Sequence, residues 1–255
     1  MTENQGNHEK HEHREHRTTR TALVTGANKG IGYEIAAGLA RRGFRVGVGA
    51  RDAGRREEAV AKLRAEGLDV FGGALDVTDD ASVAAAAARI EAEGGLDVLV
   101  NNAAITGGMP QEPSRVSPEQ VLAVVDTNVV GVIRVTNAML PMLRRAPSPR
   151  VVNVSSTVGS LGLQTAQAEA VGPISAAYSP TKTYLNAITV QYAKELAGTG
   201  ILVNAGCPGY VATDLNGFQG TRTPEQGAAV FLELATLPDG GPTGTFRDEQ
   251  GIQPW

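Results

Sequence analysis

A chain of 255 residues, 42% hydrophobic and 20% charged, is long and apolar enough to fold around one sizeable core. Its net charge of −4 gives no global attraction for nucleic acid or an anionic membrane. Its one cysteine, Cys207, excludes an internal disulfide and suits a reducing, cytoplasmic setting.

Residues 1–20 are polar and hold all four histidines, His8, His11, His13 and His16. They read as a disordered, solvated tail with no apolar signal-peptide core, its histidines close enough for opportunistic metal binding. The remainder, 21–255, has no histidine, so a Ser-His-Asp hydrolase or a histidine metal site is hard to build. Acid and base work falls to Tyr, Lys, Asp or Glu.

An apolar run at 21–25 leads into a glycine-rich turn and then a helix over 33–42, ended by Gly43. A second strand over 44–49, a charged helix over 54–66 and a third strand over 70–75 follow, then an Ala-rich helix over 79–93. A fourth strand at 96–100 precedes Asn101 and Asn102. Ser117 and Pro118 open a long helix running towards 145, which Pro141 should kink or shorten. Its most apolar part, 121–135, carries Asp126, Asn128 and Arg134 and falls short of a membrane span. A fifth strand (150–154), a loop insertion (157–175), a helix (178–197), a sixth strand (201–205), a helix (223–235) and a last strand (243–247) complete the chain. Pro180 requires the 178–197 helix to begin close to Tyr178. Alternating strands and helices predict an α/β fold, a doubly wound parallel sheet of the Rossmann type, in one domain over 21–255.

Gly26, Gly30 and Gly32, with Asn28, Lys29 and Ile31 between them, sit where the first strand meets the first helix. Glycines there allow a tight turn and close approach to a pyrophosphate, and the helix N-terminus supplies free N–H groups. NAD-binding proteins place an acid at the end of the second strand for the ribose 2′-hydroxyl. Here Arg51 stands there, followed by Asp52. Arginine suits a 2′-phosphate, and Lys29 adds a second positive charge, so NADP(H) is expected over NAD(H); Asp52 argues the other way.

Tyr178 and Lys182 lie four residues apart and so on one helix face. A positive charge beside a phenol favours its anion and makes a usable proton donor. Taken alone, the pair occurs in many helices.

Thr25-Gly26-x-x-x-Gly30-Ile31-Gly32, Asp76-Val77, Asn101-Asn102-Ala103, Asn128, Ser156, Tyr178-x-x-x-Lys182 and Pro208-Gly209 occur in the order of one family. Over 21–255 the chain resembles the short-chain dehydrogenase/reductases, and among them the NADPH-dependent carbonyl reductases. The resemblance implies Tyr178 as proton donor, its pKa lowered by Lys182 and by the oxidised nicotinamide. It gives Lys182 a hydrogen bond to the nicotinamide ribose. It implies Ser156, chosen over Ser155 by the spacing to Gly159, as donor to the carbonyl oxygen, and Asn128 as holder of a water linking Lys182 to solvent. It places Asp76 and Val77 on the adenine, Asn102 and Ala103 under the nicotinamide ribose, and Pro208, Gly209, Val211 and Thr213 along the carboxamide and pyrophosphate. Two departures stand out. Ala104 replaces the family's glycine, and 22 residues separate Ser156 from Tyr178, which leaves monomer or homo-oligomer undecided.

The loops at 106–115, 157–175 and 210–221 carry few charges (Glu112, Arg115, Glu169, Asp214), which favours a neutral carbonyl substrate of modest size. Cys207 reads as a small buried hydrophobe and Trp255 as packed on the domain. The expected activity is NADPH-dependent reduction of a ketone or aldehyde. The alternatives are an NAD(P)-dependent enzyme working in the oxidative direction and a non-catalytic NADPH-binding regulator.

Overall fold

Six short runs of small and β-branched residues form the central strands. They are β1 (Thr21–Thr25), β2 (Arg45–Ala50), β3 (Val70–Ala74), β4 (Val98–Asn101), β5 (Arg150–Val154) and β6 (Leu202–Gly206). Most are buried on both faces, as a sheet covered by helices on each side requires. The computed structural model describes residues 19–166 and 172–255; the expectation for the histidine-rich tail falls largely, and that for Glu169 wholly, outside them.

Alternate side chains feed two cores. Ala22, Val24, Val98, Val100 and Val152 pack with helices α1 (Gly30–Arg41), α2 (Ala53–Ala65) and α8 (Pro224–Ala235). Leu23, Leu99, Val151 and Val203 pack with α3 (Asp80–Ala92), α5 (Gly131–Leu143) and α7 (Tyr178–Glu195). The strand order is β3-β2-β1-β4-β5-β6-β7-β8, where β7 is Phe246–Asp248 and β8 is Gly251–Ile252. All neighbours are parallel except β7 and β8. The order reverses between β1 and β4, which opens a crevice at their carboxyl ends, the usual ligand position in such sheets.

Three expectations are corrected. The helix read as running from 117 towards 145 has its irregularity at 126–130, well before Pro141. It comprises α4 (Pro118–Val125), a π turn (Asp126–Val130) and α5, so the break surrounds Asn128. π turns of this kind are frequent at functional sites. The three segments join into one helix of 26 residues, Pro118–Leu143, long and apolar enough by composition to cross a membrane, although no single run was read that way. Here Val124, Val129, Val135 and Met139 are buried within the domain. The insertion at 157–175 is not all loop, since it contains α6 (Leu161–Ala166). The last strand, expected over 243–247, is β7, and the antiparallel β8 adds a final edge.

A buried polar chain ties sheet to helices beneath the crevice. Asn101 Nδ2 donates to Thr136 Oγ1 on α5 (3.1 Å) and to Asn153 Oδ1 on β5 (2.9 Å). Asn153 Nδ2 in turn donates to Thr189 Oγ1 on α7 (2.8 Å).

Phe231, wholly buried on α8, supports the carboxyl end of β6: a Cβ added to Gly206 would come within 2.7 Å of its ring. Phe231→Ala is expected to cost ~3–5 kcal/mol, the usual range for an emptied aromatic site. Urea unfolding at constant m-value would measure it, and a loss below ~1 kcal/mol would show that the core collapses into the space.

Candidate active site

The glycines of the first turn do different work. Gly26 (φ +65°) and Gly30 (φ +57°) adopt left-handed backbone that other residues reach only with strain. Gly32, expected to admit a pyrophosphate, instead makes room for Asn102: a Cβ there would overlap Asn102 Nδ2 and come within 2.6 Å of Gly26 O. Asn102 Nδ2 donates to Thr25 O (2.9 Å) and Gly26 O (3.1 Å). Thr25 Oγ1 accepts from the N–H groups of Asn102 (2.9 Å) and Ala103 (3.0 Å). The side chain of Asn102 thus braces the turn. No side chain caps α1, so its leading N–H groups remain available to an anion.

The turn opens into a cleft of ≈ 510 Å³. Asn28, Lys29, Ile31, Ala103, Ala104 and Thr213 line its middle, and Arg51, Asp76 and Val77 line one end. Asp52, the residue that argued against a 2′-phosphate, is the N-cap of α2 and accepts from Arg55 N–H (2.8 Å). Arg55 also lines the cleft, a cation the sequence reading missed; its signal was a second arginine one turn after Arg51. The Thr78 hydroxyl (2.7 Å) and N–H (2.9 Å) both bond Asp76 Oδ1 and hold that carboxyl below its ordinary pKa, with Arg51 and Arg134 adding to the effect. Its second oxygen is left for a ligand. The carbonyl of Val77 accepts from Arg134 Nη1 (2.6 Å), so the backbone group it can offer is its N–H. Across the mouth, Lys29 pairs with Asp214 (3.0 Å).

Of the four residues expected at the nicotinamide side, Thr213 lines this cleft together with Asp214 and Leu215. Pro208 and Val211 pack behind it, against Gly227 on α8, and Gly209 (φ +76°) lies against Arg222. Phe218, which the sequence reading passed over, follows on the same segment at φ +62° and is largely exposed. A bulky residue held there is strained.

Tyr178 is the first residue of α7, and Lys182 lies one turn on, its Nζ 5.5 Å from the centre of the Tyr178 ring. Lys182 is buried and donates to Val154 O (2.7 Å). The two serines have different surroundings. Ser155 is buried and bonds Asn186 Oδ1 (2.5 Å), whereas half-buried Ser156 accepts only a long bond from Val158 N–H (3.4 Å). The spacing to Gly159 has a steric cause: a Cβ at Gly159 would lie 2.6 Å from the backbone carbon of Lys182. Only a glycine lets the Ser156 turn press against α7 at the lysine.

The side chain of Asn128 is fully used. Its Oδ1 accepts from Ile105 N–H (2.9 Å), and its Nδ2 donates to Ile105 O (2.9 Å) and Thr181 Oγ1 (3.1 Å). It joins the cleft wall at Ile105 to α7 beside Lys182.

The charge states differ from expectation. Burial pulls the Lys182 ammonium down to about 8, with the nearby Cys207 opposing. Burial pushes the Tyr178 phenol up, and Cys207 adds to this. Burial likewise pushes the Cys207 thiol up. Trp255 packs on the domain as expected, stacked on Phe246 at 5.8 Å.

A family model described as short chain dehydrogenase matches residues 20–223. "Carbonyl reductase [NADPH] 1" of Sus scrofa is 36% identical, over 92% of this chain and 93% of that protein. "Short-chain dehydrogenase/reductase 1" of Saponaria officinalis is 34% identical, over 92% of this chain and 95% of that one. The solved structure of salutaridine reductase from Papaver somniferum superposes with a TM-score of 0.79 at 31% identity, over 90% of this chain and 99% of that one.

The buried lysine makes a pH-dependent prediction. Between about 8 and its ordinary 10.5, the unfolded chain holds the Lys182 proton and the folded chain does not, so stability rises with pH across that window. Below it, burying the ammonium costs of order 3 kcal/mol. Without cofactor, Lys182→Met should gain urea resistance over the parent at pH 7 and lose that advantage towards pH 10. An equal gain at both pH values would assign the effect to packing.

Proposed function

Because the chain belongs to the short-chain dehydrogenase/reductase family, we propose that it is an NADPH-dependent oxidoreductase reducing a ketone or aldehyde to an alcohol, with Tyr178 as proton donor. The observation that carries this reading is the placement of Tyr178 and Lys182 on the first turns of α7, against the Ser156–Gly159 turn. NADP(H), when bound, supplies the hydride. The residues present fit such a group. The glycine turn and uncapped α1 receive a pyrophosphate, Asp76 Oδ2 accepts from an amino group, and Lys29, Arg51 and Arg55 face a further phosphate. That the acid beside them, Asp52, is engaged in capping α2 supports NADP(H) over NAD(H).

Tyr178 gives its phenolic proton to the carbonyl oxygen as negative charge develops there, and Ser156 donates a hydrogen bond to the same oxygen. The raised phenol is protonated at neutral pH, which suits an acid. Lys182, near 8, is an ammonium poised to release a proton, and it lies close enough to stabilise the phenolate left behind. Two of the loop carboxylates are paired, Glu112 with Arg115 (3.0 Å) and Asp214 with Lys29 of the glycine turn, which supports a neutral substrate.

Tyr178→Phe should lower kcat by ~100-fold or more on a panel of ketones and aldehydes while still binding NADPH; turnover at the parent rate would refute the reading. Arg51→Asp should raise KM for NADPH by about tenfold or more and leave that for NADH unchanged or lower. Equal changes for both cofactors would count against a 2′-phosphate contact.

A further inference from the structure

Helix α7 begins without a cap of its own. Ala177, the residue before it, has no side chain able to accept a hydrogen bond. The leading N–H groups of a helix have no partners within it. Pro180 removes one such donor, and Ser179 N–H reaches Ser175 O (2.9 Å). The Ala177 N–H is met from a distant loop, where Gln111 Oε1 accepts it at 3.0 Å. The backbone carbonyl of Gln111 takes the Ala176 N–H (2.9 Å).

The other end of the same amide holds a different loop. Gln111 Nε2 donates to Thr106 O (2.9 Å) and Gly108 O (2.6 Å). Thr106 and Gly107 line the cleft, and Gln111 itself lies outside it. At 5% exposure, the amide shares these bonds with little competition from water. One side chain therefore connects the loop after β4 with the peptide immediately before Tyr178.

We propose that Gln111 is a positioning residue for the proton donor: it caps α7 from the 106–111 loop and sets the direction of Tyr178 by the conformation of that loop. The proposal rests on Tyr178 acting as the proton donor. A change in the loop at 106–108 moves Nε2, the amide plane turns, and the acceptor on Ala177 N–H turns with it. The proton donor is then aligned only when the loop is in its bonded arrangement.

Two substitutions separate the two ends of the amide. Gln111→Met removes both, whereas Gln111→Glu keeps an acceptor for Ala177 N–H and loses the donors to Thr106 and Gly108. With NADPH and the best carbonyl substrate of a panel, Gln111→Met should lower kcat roughly tenfold or more, as misplacement of a reacting group does, with KM for NADPH within about twofold of the parent. Gln111→Glu should retain more of kcat and raise KM for the carbonyl. Amide hydrogen exchange at Ala177 should quicken in the Met variant and stay slow in the Glu variant. A kcat within about twofold of the parent in Gln111→Met overturns the proposal. So does a parallel loss of kcat and NADPH affinity, which marks general loosening. If the parent chain turns over no carbonyl, the assignment of Tyr178 falls, and the exchange rate at Ala177 still decides whether Gln111 caps the helix.

Discussion

Lys182, Asn186 and Thr189 fall on one face of α7, and each is joined to β5 or to the residue just past it. The ammonium meets Val154 O, Asn186 meets the Ser155 hydroxyl, and Thr189 meets the Asn153 amide. The helix spacing of four and then three residues is thus matched to three consecutive positions of chain. Buried polar groups are costly to leave unpaired, so a slip or rotation of α7 would break several bonds at once. Tyr178, one turn before Lys182, takes its position along the sheet from this attachment. So does Ser156, because Ser155 is held in the core and strand alternation turns the next side chain the other way.

The same attachment accounts for the charge states. Placing an ammonium against β5 costs free energy that its bond to Val154 offsets only in part, and its pKa falls to about 8. The phenol beside it is raised by the same burial. The pair's burial is obtained at the expense of stability. The Asn101–Asn153–Thr189 chain continues the polar connection to β4 and α5, so that the helices flanking the chemistry share one set of anchors in the sheet.

Close approach is the second constraint. Asn102 occupies the space that a side chain at Gly32 would take, and Lys182 backbone occupies that of Gly159. In both cases the small residue belongs to one motif and the group filling its place to another. The fixed spacings within the motifs are the visible part of contacts between them.

The apolar strand runs, their alternation with helices, the helix start at Ser117 and Pro118, and the glycine turn were legible in the sequence because each depends on neighbours within a few residues. Tyr178, Lys182 and Ser156 were named through the resemblance that their motifs carry to the family to which the chain belongs. The tertiary structure alone decided what crosses between elements. It placed a π turn around Asn128 where local sequence read as a continuous helix, and it turned Asn102 inward to brace the phosphate turn. It brought Arg55 into the cleft beside Arg51 and supplied the cap of α7 from Gln111. It also set how deeply Tyr178 and Lys182 are buried, because burial depends on everything packed around a group and leaves no local periodic signal.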